Sequence, residues 1–160
     1  AKQNTKKFPA EKIVKTIAHL EYPVVLLGGK EDELIGERIK YEMRNAKYEV
    51  YNAAGRFSLN QSASLVQQAK LVVSNDTGLM HIAAAFKKPI ISLWGNTIPE
   101  FGMSPYYGNH QIRNSKFEIR NLNCRPCSKL GYNACPKGHL KCMNMLDENA
   151  IANSINQAMS

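Results

Sequence analysis

Val72-Val73-Ser74-Asn75-Asp76-Thr77-Gly78-Leu79-Met80-His81-Ile82-Ala83-Ala84-Ala85-Phe86 reads as a buried strand, a polar turn and an apolar helix. In an open α/β sheet such a junction faces the ligand crevice at the carboxyl ends of the strands. The first backbone N–H groups of the helix lack intrahelical partners there, and the helix dipole favours negative charge. Thr77 can cap the helix or donate its hydroxyl, Gly78 lets a ligand approach the backbone, and His81 follows about one turn later. Those features suit a phosphate or pyrophosphate. The plainer alternative makes Asp76 a cap, Gly78 a relief of crowding and His81 an ordinary histidine.

The pattern on either side repeats this alternation. Lys12 to Leu20 has helical spacing after Pro9, and Pro23 ends it. Val24 to Leu27, closed by Gly28-Gly29, fits a strand buried on both faces. Glu31 to Asn45 is predicted as a helix, Tyr48 to Tyr51 as a strand, and Leu59 to Ala69 as a helix capped by Ser58 or Asn60. Leu71 to Ser74 and Ile90 to Trp94 are strands flanking a helix from Gly78 to Phe86. Strands alternating with helices predict βαβ units and a parallel sheet. After Gly95 the pattern loosens. Thr97 to Asn109 reads as a long loop, Phe117 to Leu122 as a short strand, and 147–159 as a terminal helix with Ile151 and Ile155 inward.

At 160 residues, 44% hydrophobic and 21% charged, the chain fits one ordinary globular domain. No apolar run reaches the roughly 20 residues of a membrane span, and no secretory leader pattern opens the chain. The net charge of +8 suits anionic partners. Nucleic acid is not expected: the lysines are scattered, and no helix-turn-helix, RNA-recognition or zinc-finger signature is present. His19 and His110 stand beside no nucleophile signature.

Asp76-Thr77-Gly78-Leu79-Met80-His81 resembles the Asp-Thr-Gly-Leu-x-His signature of glycosyltransferase family 9, the heptosyltransferases of lipopolysaccharide core assembly. Lys88-Pro89-Ile90-Ile91-Ser92-Leu93-Trp94-Gly95-Asn96-Thr97 is similar to the run that follows it in that family. Thr5-Lys6-Lys7-Phe8-Pro9 resembles the opening of the family's donor domain, and Val24 to Gly29 and Phe57-Ser58-Leu59 fall in the expected order between. The resemblance covers nearly the whole chain.

It implies an α/β fold with a Rossmann-like parallel sheet and helices on both faces, the C-terminal half of a GT-B glycosyltransferase. Residues 1–160 would form a single nucleotide-sugar-binding domain, with a loop-rich segment at 96–146 and the terminal helix at 147–159. The amino-terminal acceptor domain would be absent, and the start without Met suggests an excised piece. The donor-binding residues carried over are Thr5, Lys6, Glu31, Phe57, Asp76, Thr77, Gly78, Leu79 and His81. Thr77, Gly78 and Leu79 would hold the diphosphate, and Asp76 and His81 would contact phosphate or sugar hydroxyls. Lys6, with Thr5, would supply charge and a donor to the leaving diphosphate. Glu31 would bind ribose or sugar hydroxyls, and Phe57 would wall the nucleobase; otherwise Phe57 is a core aromatic.

Cys124, Cys127, Cys135 and Cys142 lie within nineteen residues, with His139 between the last two. Their spacing leaves a structural zinc site, reduced thiols or an occasional disulfide open. The family implies no cofactor and no catalytic metal. A similar run, Cys-x-x-Cys followed by Cys-x-x-Gly-His-x-x-Cys, occurs in some heptosyltransferase-like proteins.

The resemblance further implies inverting transfer of heptose or a related sugar from a nucleoside diphosphate donor, ADP-linked by expectation, to a lipopolysaccharide core acceptor. The acceptor base would lie in the absent domain, so the isolated chain is expected to bind donor without turnover. A cytoplasmic location follows, with peripheral contact at the inner membrane surface. Two rivals remain: a GT-B nucleotide-sugar epimerase, and a non-catalytic, zinc-stapled binding module.

Overall fold

The computed structural model describes residues 2–110, 112 and 115–160. Ala1 and residues 111, 113 and 114 of the 96–146 segment lie outside the described residues. Six α-helices and five strands are assigned among the described residues. They are α1 (Ala10–Ala18), β1 (Val24–Leu26), α2 (Glu33–Glu42), β2 (Val50–Asn52), α3 (Leu59–Gln68), β3 (Val72–Asn75), α4 (Gly78–Ala85), β4 (Ile90–Trp94), β5 (Lys116–Ile119), α5 (Lys141–Asn144) and α6 (Glu148–Met159).

All the pairing is parallel. β1 pairs with β2, and β3–β4–β5 form a second ladder with β4 in the middle. Central position explains why β4 is buried along its whole length, as continuous apolar strands are. Its residues divide between two layers. Ile91 and Leu93 pack against Phe8 and against Met143, Leu146, Ile151 and Ile155 of the C-terminal region. Ile90 and Trp94 pack against Val66 of α3 and Met80, Ala83 and Ala84 of α4. Each fully buried Ile, Leu, Val, Met or Phe side chain among these contributes about 1.5–3 kcal/mol on burial. A third cluster seats Ile17 of α1 and Ile39 of α2 on β1 and β2 through Val24, Leu26 and Val50. Helices therefore cover both faces of the β3–β4–β5 ladder, as the alternation requires.

The helix starts follow their chemistry. Pro9 precedes α1, fixing the extended entry. Ser58 Oγ accepts from Gln61 N at 3.3 Å while Gln61 Oε1 accepts from Ser58 N at 2.9 Å, a reciprocal cap for α3. Asp147 Oδ1 takes the N–H groups of Asn149 and Ala150 at the start of α6.

Three expectations are corrected. The segment 31–45 divides into a 3-10 turn at Lys30–Asp32 and a shorter α2. The second strand lies at Val50–Asn52, later than Tyr48 to Tyr51. β1 is not covered on both faces: α3 packs with α4 against β4, which leaves Val25 and its register partner Tyr51 each 48% exposed. Within the 96–146 segment, β5 lies at the expected short strand, and a 3-10 turn at Pro99–Phe101 and the four-residue α5 are added to it.

Candidate functional site

The carboxyl ends of β3 and β4 and the start of α4 meet the opening turn of the chain. Asp76 leaves β3, is buried, and accepts from Lys6 Nζ at 2.7 Å. The same Oδ2 accepts from Thr97 Oγ1 at 3.0 Å, and Thr97 is fully buried beyond the end of β4. One carboxylate oxygen thus fixes a cation and a hydroxyl. Charge-assisted bonds of this kind are shorter and stronger than neutral ones.

α4 begins beside this carboxylate. Thr77 stands at its N-cap in extended backbone but makes no side-chain capping bond, contrary to the capping role the sequence allows. Its hydroxyl lies 3.2 Å from Ser74 Oγ instead. The first N–H groups of α4 are therefore left without that cap. Gly78 is exposed, and a Cβ built there would meet nothing within 4 Å. The space above the first turn is open to an anion. Leu79 is half-buried against the α3–α4 cluster, so its contribution to such a site is its backbone.

His81 lies four residues past Thr77 on the exposed side of α4. It lines a shallow groove with Ala85, Lys87, Tyr106 and Tyr107, toward the carboxyl end of the helix. The structure places Thr5 differently from a donor group facing a ligand. Thr5 is buried, its N–H and Oγ1 donate to Tyr132 O at 3.1 and 3.0 Å, and Tyr132 N donates to Thr5 Oγ1 at 2.8 Å.

Glu31 and Phe57 sit on two loops that run together. Ala53 N donates to Leu26 O at 2.9 Å, and Gly55 N donates to Gly28 O at 3.1 Å. Gly55, at φ +71°, lies against Lys30, where a Cβ would come 3.1 Å from Lys30 Cα. Glu31 folds over Gly29, and Phe57 is 47% exposed, so it is a surface aromatic and not a core one. These loops join the first cluster through Lys7 Nζ, which donates to Asp32 Oδ1 at 2.9 Å, while Asp32 Oδ2 accepts from Gly29 N at 3.2 Å. The role of Lys7 and the Asp76-binding role of Thr97 were not singled out from the sequence. Thr97 carried one available signal, its place at the end of the Lys88–Thr97 run.

The cysteine segment backs this site. Cys127 N donates to Asn96 O at 3.0 Å, and the Arg125 guanidinium donates to Thr97 O at 2.6 Å. All four cysteines are free thiols. Among the described residues no three His, Cys, Asp or Glu side chains are placed to hold one metal ion. Burial pushes the Cys127 and Cys142 thiols up and pulls the Arg125 guanidinium down. Burial acts the same way on Cys135, but bonds from the backbone of Leu140, Lys137, His139 and Gly138 outweigh it and bring that thiol below its usual value.

Residues 1–133 match the model of glycosyltransferase family 9 (heptosyltransferase). Lipooligosaccharide heptosyltransferase 2 of Haemophilus influenzae is 38% identical over 91 residues, covering 56% of this chain and 26% of that protein. Lipopolysaccharide heptosyltransferase 2 of Escherichia coli is 35% identical over 91 residues, with 56% and 26% covered. Among solved structures, E. coli ADP-heptose LPS heptosyltransferase II superposes with a TM-score of 0.74 at 23% identity, over 98% of this chain and 43% of its own. E. coli heptosyltransferase WaaC with ADP gives 0.68 at 25% identity, over 99% and 42%. The matches span about a quarter of the curated relatives' length and under half of the solved ones.

Proposed function

The chain belongs to glycosyltransferase family 9, and from that premise we propose that it is the donor-binding domain of a heptosyltransferase-like enzyme. The observation that carries this is the Lys6–Asp76–Thr97 constellation beside the uncapped, open start of α4. A helix N-terminus with a fixed cation at its edge suits a diphosphate. The relative solved with ADP supports an ADP-linked donor.

In the reaction we propose, a base outside these residues removes the proton of an acceptor hydroxyl. The acceptor oxygen forms a bond to the anomeric carbon as the bond from that carbon to the diphosphate oxygen breaks, and the electron pair leaves with the diphosphate. Displacement from the opposite face inverts the anomeric centre. Here Lys6 and the first N–H groups of α4 stabilise the developing negative charge, an electrostatic contribution that needs no metal from this chain. Glu31 and Phe57, on the adjoining loops, would hold the ribose and base. The acceptor is proposed to be a lipopolysaccharide core, handled at the cytoplasmic face of the inner membrane, and the basic charge of the chain supports an anionic acceptor surface.

Calorimetric titration of ADP, GDP and UDP into the folded chain tests the donor assignment. Saturable binding with ADP preferred is expected. Failure of all three nucleotides to bind would overturn it.

A further inference from the structure

The ion pair between Lys6 and Asp76 is held at both ends by one short stretch of the cysteine segment. On the Lys6 side, Tyr132 grips the preceding residue through three hydrogen bonds to Thr5, and Asn4 Nδ2 donates to Asn133 O at 3.1 Å. Gly131, at φ +96°, lets the strap lie flat on this turn: a Cβ there would come 2.9 Å from Gln3 Cβ and 3.2 Å from Lys6 Cε. Only glycine adopts that backbone at little cost. On the Asp76 side, Arg125 donates to Thr97 O at 2.6 Å, and Thr97 Oγ1 in turn donates to Asp76 Oδ2. The strap is itself ordered, because Ser128 Oγ accepts the N–H groups of Leu130 and Gly131 at 2.9 and 3.0 Å.

We infer that residues 125–132 are a positioning strap for the donor site, with Thr5 and Arg125 as positioning residues that aim Lys6 and Asp76. This rests on the donor-site assignment for its functional meaning. Thr5 does not need to touch the nucleotide: its hydroxyl is committed to Tyr132. A lysine on a mobile turn would lose much of its value as a fixed charge, because preorganisation is what makes such a group effective. The strap also gives the cysteine segment a task that needs no metal and no partner.

Two readouts test this, one without nucleotide. Amine labelling of the folded chain, followed by peptide mass spectrometry, reports how firmly Lys6 is held, with the exposed Lys30 as internal reference. Thr5→Val keeps the shape and removes both hydroxyl bonds, whereas Thr5→Ser keeps them. Thr5→Val should speed Lys6 labelling by about fivefold or more and weaken ADP by a similar factor, the order expected for loss of two such bonds, and Thr5→Ser should restore both. Arg125→Gln, acting from the opposite side, should do the same to Lys6, and it carries the test if Thr5→Val does not fold. Unchanged Lys6 labelling in the folded variants overturns the strap. Labelling that responds while the parent chain binds no nucleotide leaves the strap standing and overturns the donor site.

Discussion

Lys6 Nζ lies 2.7 Å from Asp76 Oδ2 although seventy positions separate the two residues. The pair closes the opening turn onto the β3–α4 junction and fixes the Lys6 ammonium, paired to a carboxylate, beside an uncapped helix start. The donor site proposed for this chain depends on that closure.

The two partners should not be equivalent on mutation. Lys6→Ala leaves a buried carboxylate with Thr97 as its remaining named donor and should cost about 1–3 kcal/mol of stability. Asp76→Asn keeps an oxygen acceptor for both Thr97 and Lys6, so it should cost less. Urea unfolding of both variants checks the order, and both should weaken ADP.

Gly78 separates binding from folding. A side chain there meets open space, so Gly78→Val should change stability by less than about 1 kcal/mol. Its bulk would stand where an anion approaches α4, so ADP affinity should fall by about tenfold or more, or 1.4 kcal/mol. Calorimetry on a variant with an unchanged melting profile decides it.

What the sequence made legible was local. The continuous apolar run at Ile90 to Trp94 located β4, the apolar stretch after the polar turn located α4, and Ser58 marked the start of α3 as a cap should. The turn at Asp76 to Gly78 was visible because strand, polar turn and helix follow one another directly. Lys6 and Thr97 were visible as residues, but their convergence on Asp76 was not, because no periodicity links positions 21 or 70 apart. Arg125 and Tyr132 were silent for the same reason. α5 is four residues long and opens from Leu140 at φ +44°, too short and too irregular to leave a repeat. The exposure of Val25 depends on where α3 comes to rest, which an apolar run alone does not encode.

Acid should loosen the attachment of α6. Glu148, paired with Lys12 and Lys15, has its carboxyl held down to about 2 from an ordinary 4.5, chiefly by the hydrogen bond from Lys12. A lowered folded value means the stabilisation is complete above pH 4.5 and is lost as pH falls from 4.5 toward 2. As a solvent-screened pair it is worth about 1 kcal/mol. Lys12→Met should flatten this part of the stability–pH curve, and the comparison of thermal midpoints in that window measures it.

The thiols should react in a fixed order. Cys135, lowered by its surrounding backbone N–H groups, should alkylate first with iodoacetamide near pH 8, and the buried Cys142 last. Timed labelling with peptide mass spectrometry gives the order directly.

The most direct test of the central claim is to titrate ADP into the isotopically labelled chain and follow backbone amide shifts residue by residue. The largest shifts are expected at Gly78 and Leu79, with Lys6 and the Glu31 and Phe57 loops responding in the same titration. Shifts confined to the groove near Tyr106 and Tyr107, or no shifts at all, would contradict it.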